Sequence, residues 1–82
     1  MEYSPVDCGF HDRLESLAVQ RIRVPVEVSE DGAVHVVEAR IADVFSRDGA
    51  EYARLVEARG HEREVRLDRI NSVAGIPRPG AG

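Results

Sequence analysis

The feature that constrains this chain most is the alternation from Arg21 to Val28. Ile22, Val24, Val26 and Val28 fall on one side of an extended backbone, and Arg23, Pro25 and Glu27 on the other. A period of two in β-branched residues is the mark of a half-buried strand. It runs straight into Ser29-Glu30-Asp31-Gly32, a turn in which Gly takes positive φ without steric cost. A strand entering such a turn predicts an antiparallel hairpin, so the chain is committed to a sheet early. Pro25 has no N–H to give a ladder and belongs where this strand is unpaired on one side, at an edge or a bulge.

The next segment begins in phase at Val34 and Val36, then slips to Val37, Ala39 and Ile41. A slip inside a long apolar run predicts a bulge or sharp bend, by which one strand serves both halves of a small barrel. Ser46-Arg47-Asp48-Gly49 is a second turn. Glu51 to Glu57 and Arg63 to Asp68 read as third and fourth strands around Ala58-Arg59-Gly60-His61, with Val65 and Leu67 facing inward. Ile70 and Val73 offer a short fifth. From Gly75 the chain is too rich in Gly and Pro to sustain a ladder, so residues 75–82 are expected to be a flexible tail and residues 1–74 a single domain.

Ahead of the strands lies one clear helical pattern, expected over about residues 8–20. Phe10, Leu14, Leu17 and Ala18 recur at i, i+4, i+7 and i+8, and Asp7 is placed to accept from the first turn's free N–H groups. The opposite face carries His11, Asp12 and Glu15. Before the helix, Ser4-Pro5 favours an extended lead-in that Tyr3 and Val6 can pin to the core. The predicted class is mainly β, α+β by count: an N-terminal helix capping a small five-stranded antiparallel barrel of the SH3-like or Sm-like kind. At 82 residues there is room for one domain, and with aromatics at 5% its core must come from Val, Leu, Ile and Ala.

Charge narrows the function. Acids number 15 against 11 bases, all of them Arg, for a net of −4. Residues 1–31 hold seven acids and three arginines, so the whole imbalance sits in the first third. That pole repels phosphates and attracts a basic partner. The arginines of the second half, Arg40, Arg47, Arg54, Arg59, Arg63, Arg66 and Arg69, alternate with Glu38, Glu51, Glu57, Glu62, Glu64 and Asp68, which blunts any basic stripe, and stacking aromatics are scarce. An RNA-binding barrel therefore stands as the alternative and not as the first reading.

Catalysis and metal binding find little support. Cys8 with His11, and His11 with Glu15, have helical ligand spacing, yet they supply only part of a coordination shell, and His35 and His61 fall in other elements. Cys8 beside His11 lacks an orienting third group and an oxyanion site. The glycines are scattered through turns and form no phosphate cradle. No enzyme activity, cofactor or metal is expected. A single Cys forms no internal disulfide, and no apolar run reaches the length of a signal or membrane segment, so the expected location is the cytoplasm, away from membranes.

Several short pieces occur in a telling order: Tyr3-Ser-Pro-Val-Asp-Cys8, His11-Asp-Arg-Leu-Glu15-Ser-Leu-Ala18, Asp31-Gly32, Ala42-Asp-Val-Phe-Ser-Arg47, Glu51-Tyr52, and Val65-Arg-Leu-Asp-Arg-Ile70-Asn-Ser72. Up to about Ser72 the chain resembles the Rho-binding antiterminator family, the Rof or YaeO proteins. The resemblance implies an Sm-like barrel whose N-terminal helix binds the hexameric transcription termination factor Rho. Such a protein docks at the primary RNA-binding region of Rho's N-terminal domain, blocks RNA loading and so suppresses termination. It implies that Asp12 and Glu15 face basic residues of Rho, that His11 stands where the family carries an aromatic Tyr, and that Arg47 and Asp48 lie in a turn that also approaches Rho. No direct nucleic-acid contact is implied. Without the resemblance, Asp12 and Glu15 read as the solvated side of an amphipathic helix.

Overall fold

The computed structural model describes residues 8–78. The expected Asp7 cap, the Tyr3, Ser4-Pro5 and Val6 lead-in, the side chain of Cys8 and the last four residues of the expected tail lie outside the described residues. One helix, α1 (Cys8–Gln20), precedes six strands: β1 (Arg23–Glu30), β2 (Ala33–Arg47), β3 (Ala50–Glu57), β4 (Glu62–Arg66), β5 (Ile70–Val73) and β6 (Ile76–Pro77). The strands form one antiparallel sheet in the order β4-β3-β2-β1-β5-β6. The mainly-β class with an N-terminal helix is therefore as the sequence predicts.

The helix follows its apolar spacing. Phe10, Leu14 and Leu17 are buried and Ala18 packs beside them, chiefly against β2. It ends at Arg21, whose left-handed φ of 56° turns the chain while its N–H still bonds the Leu17 carbonyl at 3.1 Å. From β1, Val24, Val26 and Val28 enter the same core. They join Ala39 and Ile41 of β2, Ala53 and Leu55 of β3, Val65, Leu67, Ile70 and Val73. Ile22 does not follow the alternation inward: it precedes the strand and is exposed.

Three hairpins share one turn chemistry. Asp31-Gly32, Asp48-Gly49 and Ala74-Gly75 all take positive φ at both positions, the geometry that matches the right-handed twist of the flanking strands. The first two are Asp-Gly pairs, as the turn requires. The third corrects the expected start of the tail: Ile76–Pro77 pairs with Ser72–Val73 as a sixth strand. Arg78 secures it, with its backbone N–H on Asn71 O at 2.7 Å and its guanidinium on Ile70 O at 2.9 Å and Asp68 O at 3.1 Å.

The phase slip in β2 also has a different cause from the one expected. Pairing with β1 is unbroken from Glu30↔Ala33 to Arg23↔Arg40, so no bulge separates Val36 from Val37. Val34 and Val36 simply face outward, 61% and 59% exposed. The bulge comes later, at Ala42, where the register against β3 shifts between Ile41 and Asp43. Around that point β2 passes from pairing β1 to pairing β3, which curls the sheet.

Barrel closure, expected from the sequence, is not seen: β4 and β6 are the ends of the ladder order. Side chains bridge part of the gap. Arg63 of β4 donates to Glu30 Oε1 of β1 at 2.8 Å, and its Nε lies 3.0 Å from Glu57 Oε2 as an ion pair. Pro25 lies on an inner strand, not an edge. It is tolerated because β5 pairs with β1 only from Val26 onward, and the Pro25 carbonyl accepts from the Ala74 N–H at 2.8 Å beyond that ladder.

Candidate functional site

The helix presents its polar residues according to the same periodicity that buries its apolar ones. At roughly 100° per residue, Asp12 points away from Phe10, Leu14 and Leu17, with Glu15 about 60° to one side and Arg13 about 100° to the other. Asp12 is exposed, and the Glu15 side chain is 55% exposed. His11 sits lower, at the seam between helix and sheet. Its Nδ1 is 3.1 Å from Glu15 Oε1 and its Nε2 is 3.0 Å from Glu51 Oε2 on β3. A ring with a carboxylate at each nitrogen donates to both only as the imidazolium. His11 therefore couples the acidic helix face to the β2–β3 hairpin, a link that no local sequence pattern announces.

Arg47 and Asp48 lie at the tip of that hairpin, both exposed. Strand alternation decides their direction. Ser46 and Glu51 form a cross-strand pair on the helix side, so Phe45, Tyr52 and Arg47 project from the opposite face. The structure thus joins His11, Glu15 and Glu51 directly, while Arg47 flanks the same hairpin from behind. On that rear face Phe45 and Tyr52 stack with centroids 5.6 Å apart and planes 14° from parallel. The Arg47 guanidinium lies 5.1 Å from the Phe45 centroid and 5.6 Å from that of Tyr52, and Arg54 lies 5.4 Å from Phe45.

Glu64 of β4 completes the cluster. It accepts from Arg47 Nη1 at 2.9 Å and Nη2 at 3.4 Å, and lies 3.6 Å from Arg54 Nη2. The hydrogen bonds and charge of Arg47 hold the Glu64 carboxyl below its ordinary value, and Glu64 in turn raises Arg47, through the hydrogen bond first and charge second. Elsewhere on the sheet Arg63 meets Glu30 and Glu57, and Arg66 holds Asp68 at 2.8 Å and 2.9 Å. Carboxylates therefore neutralise four arginines that could otherwise have formed a phosphate-binding stripe.

His11, Asp12 and Glu15 each offer a ligand atom, and these lie within 4.8 Å of one another. Both ring nitrogens of His11 already face carboxylates, so the imidazole serves a metal only by giving up one of them. Three donors from one helix are a partial shell.

These features define a class: a small mainly-β protein with a helix laid over a curled antiparallel sheet, its candidate site spread over a charged helix face and a hairpin tip. Comparison with known proteins sharpens the class into a family. Protein rof of Escherichia coli (strain K12) is 37% identical over 70 residues, spanning 85% of this chain and 79% of that protein, and Protein rof of Shigella flexneri matches to the same extent. The chain belongs to the Rof family. No family model matches it, and no solved structure does.

Proposed function

We propose that this protein is a non-catalytic inhibitor of transcription termination factor Rho, and so an antiterminator acting in the cytoplasm. The acidic helix docks at Rho's primary RNA-binding region and blocks RNA loading. Beyond family membership, the observation that carries this reading is the solvent-facing pair Asp12 and Glu15 on a helix whose other face is locked by Phe10, Leu14 and Leu17. A groove that holds single-stranded nucleic acid is basic, and an acidic surface on a rigid support competes for it while speeding encounter. His11 orients Glu15 and ties the helix to the hairpin; Asp48 adds a further exposed acid at its tip.

Binding of the purified protein to Rho and to single-stranded RNA, measured side by side, tests the proposal. Rho binding that RNA reverses by competition is expected. Binding to RNA without binding to Rho would instead establish the barrel-type RNA-binding alternative, against which the carboxylate-paired arginines already weigh. Asp12→Arg with Glu15→Arg is expected to weaken Rho binding by about tenfold or more per residue, the lower range for close interfacial charge pairs. A double variant that still suppresses termination fully would show that the helix is not the docking surface.

A further inference from the structure

The rear face of the β2–β3 hairpin carries an ordered cluster that the acidic helix does not include. Arg47 is held from two directions: the stacked Phe45–Tyr52 pair lies beneath its guanidinium, and both Glu64 oxygens take its Nη donors from the side. Its side chain is still 52% exposed, and no other group among the described residues takes the rest of its N–H donors. Arginine at a hairpin tip ordinarily samples many rotamers, and fixing them on docking costs affinity. Here the fixing precedes docking.

Charge points the same way. An unpaired Arg47 would be repelled by a basic groove, since like potentials oppose approach. Paired with Glu64, the guanidinium reaches such a surface as a charge-balanced donor and not as a bare cation. The two strand registers make this possible: Phe45↔Tyr52 aligns the rings, and Arg54↔Glu64 brings the β4 carboxylate alongside.

We infer that Glu64, with the Phe45–Tyr52 stack, is a positioning residue that presents Arg47 as an ordered, charge-balanced donor to an oxygen acceptor on the partner protein. The inference rests on the proposed docking to Rho and extends the contact from the helix to the hairpin's rear face.

A double-substitution cycle on the full chain tests it, with Rho affinity as one readout. Glu64→Gln is expected to weaken binding about 2- to 12-fold beyond any pure charge effect, the range set by ordering one rotamer-rich side chain. In an Arg47→Ala background the same substitution should have no more effect than Glu62→Gln, a neighbouring carboxylate that serves as the charge control. Equal effects of Glu64→Gln in both backgrounds would overturn the inference, because Glu64 would then act through charge alone. A second readout needs no partner. The Arg47 Nε–H group should show an NMR order parameter near rigid values in the free protein and fall below about 0.6 in Glu64→Gln. A mobile Arg47 in the unsubstituted protein would overturn the positioning role even if Rho binds. Failure of the unsubstituted protein to bind Rho, with Arg47 ordered, would remove the proposed function and with it the docking role of the cluster.

Discussion

Leu14→Ala probes the arrangement on which the helix-borne site depends. Leu14 has no solvent exposure and lies between Phe10 and Leu17 on the face that packs against β2. Buried Leu→Ala substitutions cost about 2–5 kcal/mol, the spread reflecting how far the surroundings collapse into the void. Here the void is roofed by a single 13-residue helix at the edge of the molecule, which can settle inward. The lower part of the range, about 2–3 kcal/mol, is therefore expected. For a domain of this size each kcal/mol lowers the melting temperature by about 4–8 °C, so a fall of about 10–20 °C follows. Total stability of about 4–12 kcal/mol leaves the variant largely folded at room temperature. Val19→Ala is the matched control. Val19 is on the same helix but 82% exposed, and Ala is the better helix former, so its effect should stay within about 0.5 kcal/mol. Thermal unfolding followed by circular dichroism compares the two. If Leu14→Ala melts within about 4 °C of the parent, or Val19→Ala falls as far, the helix does not pack as described and its exposed face is not the one assigned.

Two further outcomes follow from local geometry. The hydrogen bond from Arg47, with its charge, holds Glu64 below the ordinary carboxylate range, so in an NMR titration it should take up its proton below the usual Glu range, and Arg47→Ala should move that uptake to higher pH. A depressed carboxyl favours the folded state above its unfolded pKa and loses that contribution as pH falls through the folded value. The Arg47 contact should accordingly open only under acid conditions below the usual Glu range, and opening nearer neutrality would contradict the pairing. Gly49 sits at φ 80° with open space around its missing Cβ; Gly49→Ala should therefore cost about 1 kcal/mol from backbone conformation alone. A neutral result in chemical denaturation would mean that the turn is not of this type.

Local periodicity and spacing made the helix, the first five strands and the two Asp-Gly hairpins legible, because each is set by residues within a few positions of one another. Where a two-residue turn fixes the register, more could have been read: centring a hairpin on Asp48-Gly49 places Phe45 opposite Tyr52 by counting alone. The Arg47–Glu64 contact could not be reached that way. It depends on the β3–β4 register, and the connection there passes through a short 3-10 turn with Arg59 at φ 74° that no tight-turn rule specifies. The His11–Glu51 contact depends on how the helix lies across the sheet. Val34 and Val36 misled for a physical reason: β-branched residues suit either face of a strand, so their spacing alone cannot tell an inward run from an outward one. Ala74-Gly75 hid the last hairpin because Ala is a poor signal for positive φ.

The distribution of paired and unpaired charge bears on the partner more than the net value does. On β2, β3 and β4 the guanidinium groups of Arg47, Arg54 and Arg63 sit 2.8–4.0 Å from carboxylates. A phosphate approaching them meets ion pairs, and has either to displace a tethered carboxylate or to accept its repulsion. Asp12 carries no such partner among the described residues, and it faces directly away from the buried side of its helix. Glu15 shares only an imidazole, and Asp48 projects from a turn. Moving a phosphate polymer onto Arg47, Arg54 and Arg63 therefore requires breaking existing pairs. A basic protein surface requires none to be broken at Asp12 and completes a charge that folding leaves open. That asymmetry, and not the acidity of the chain as a whole, is the physical reason to expect a basic groove on the other side of the helix.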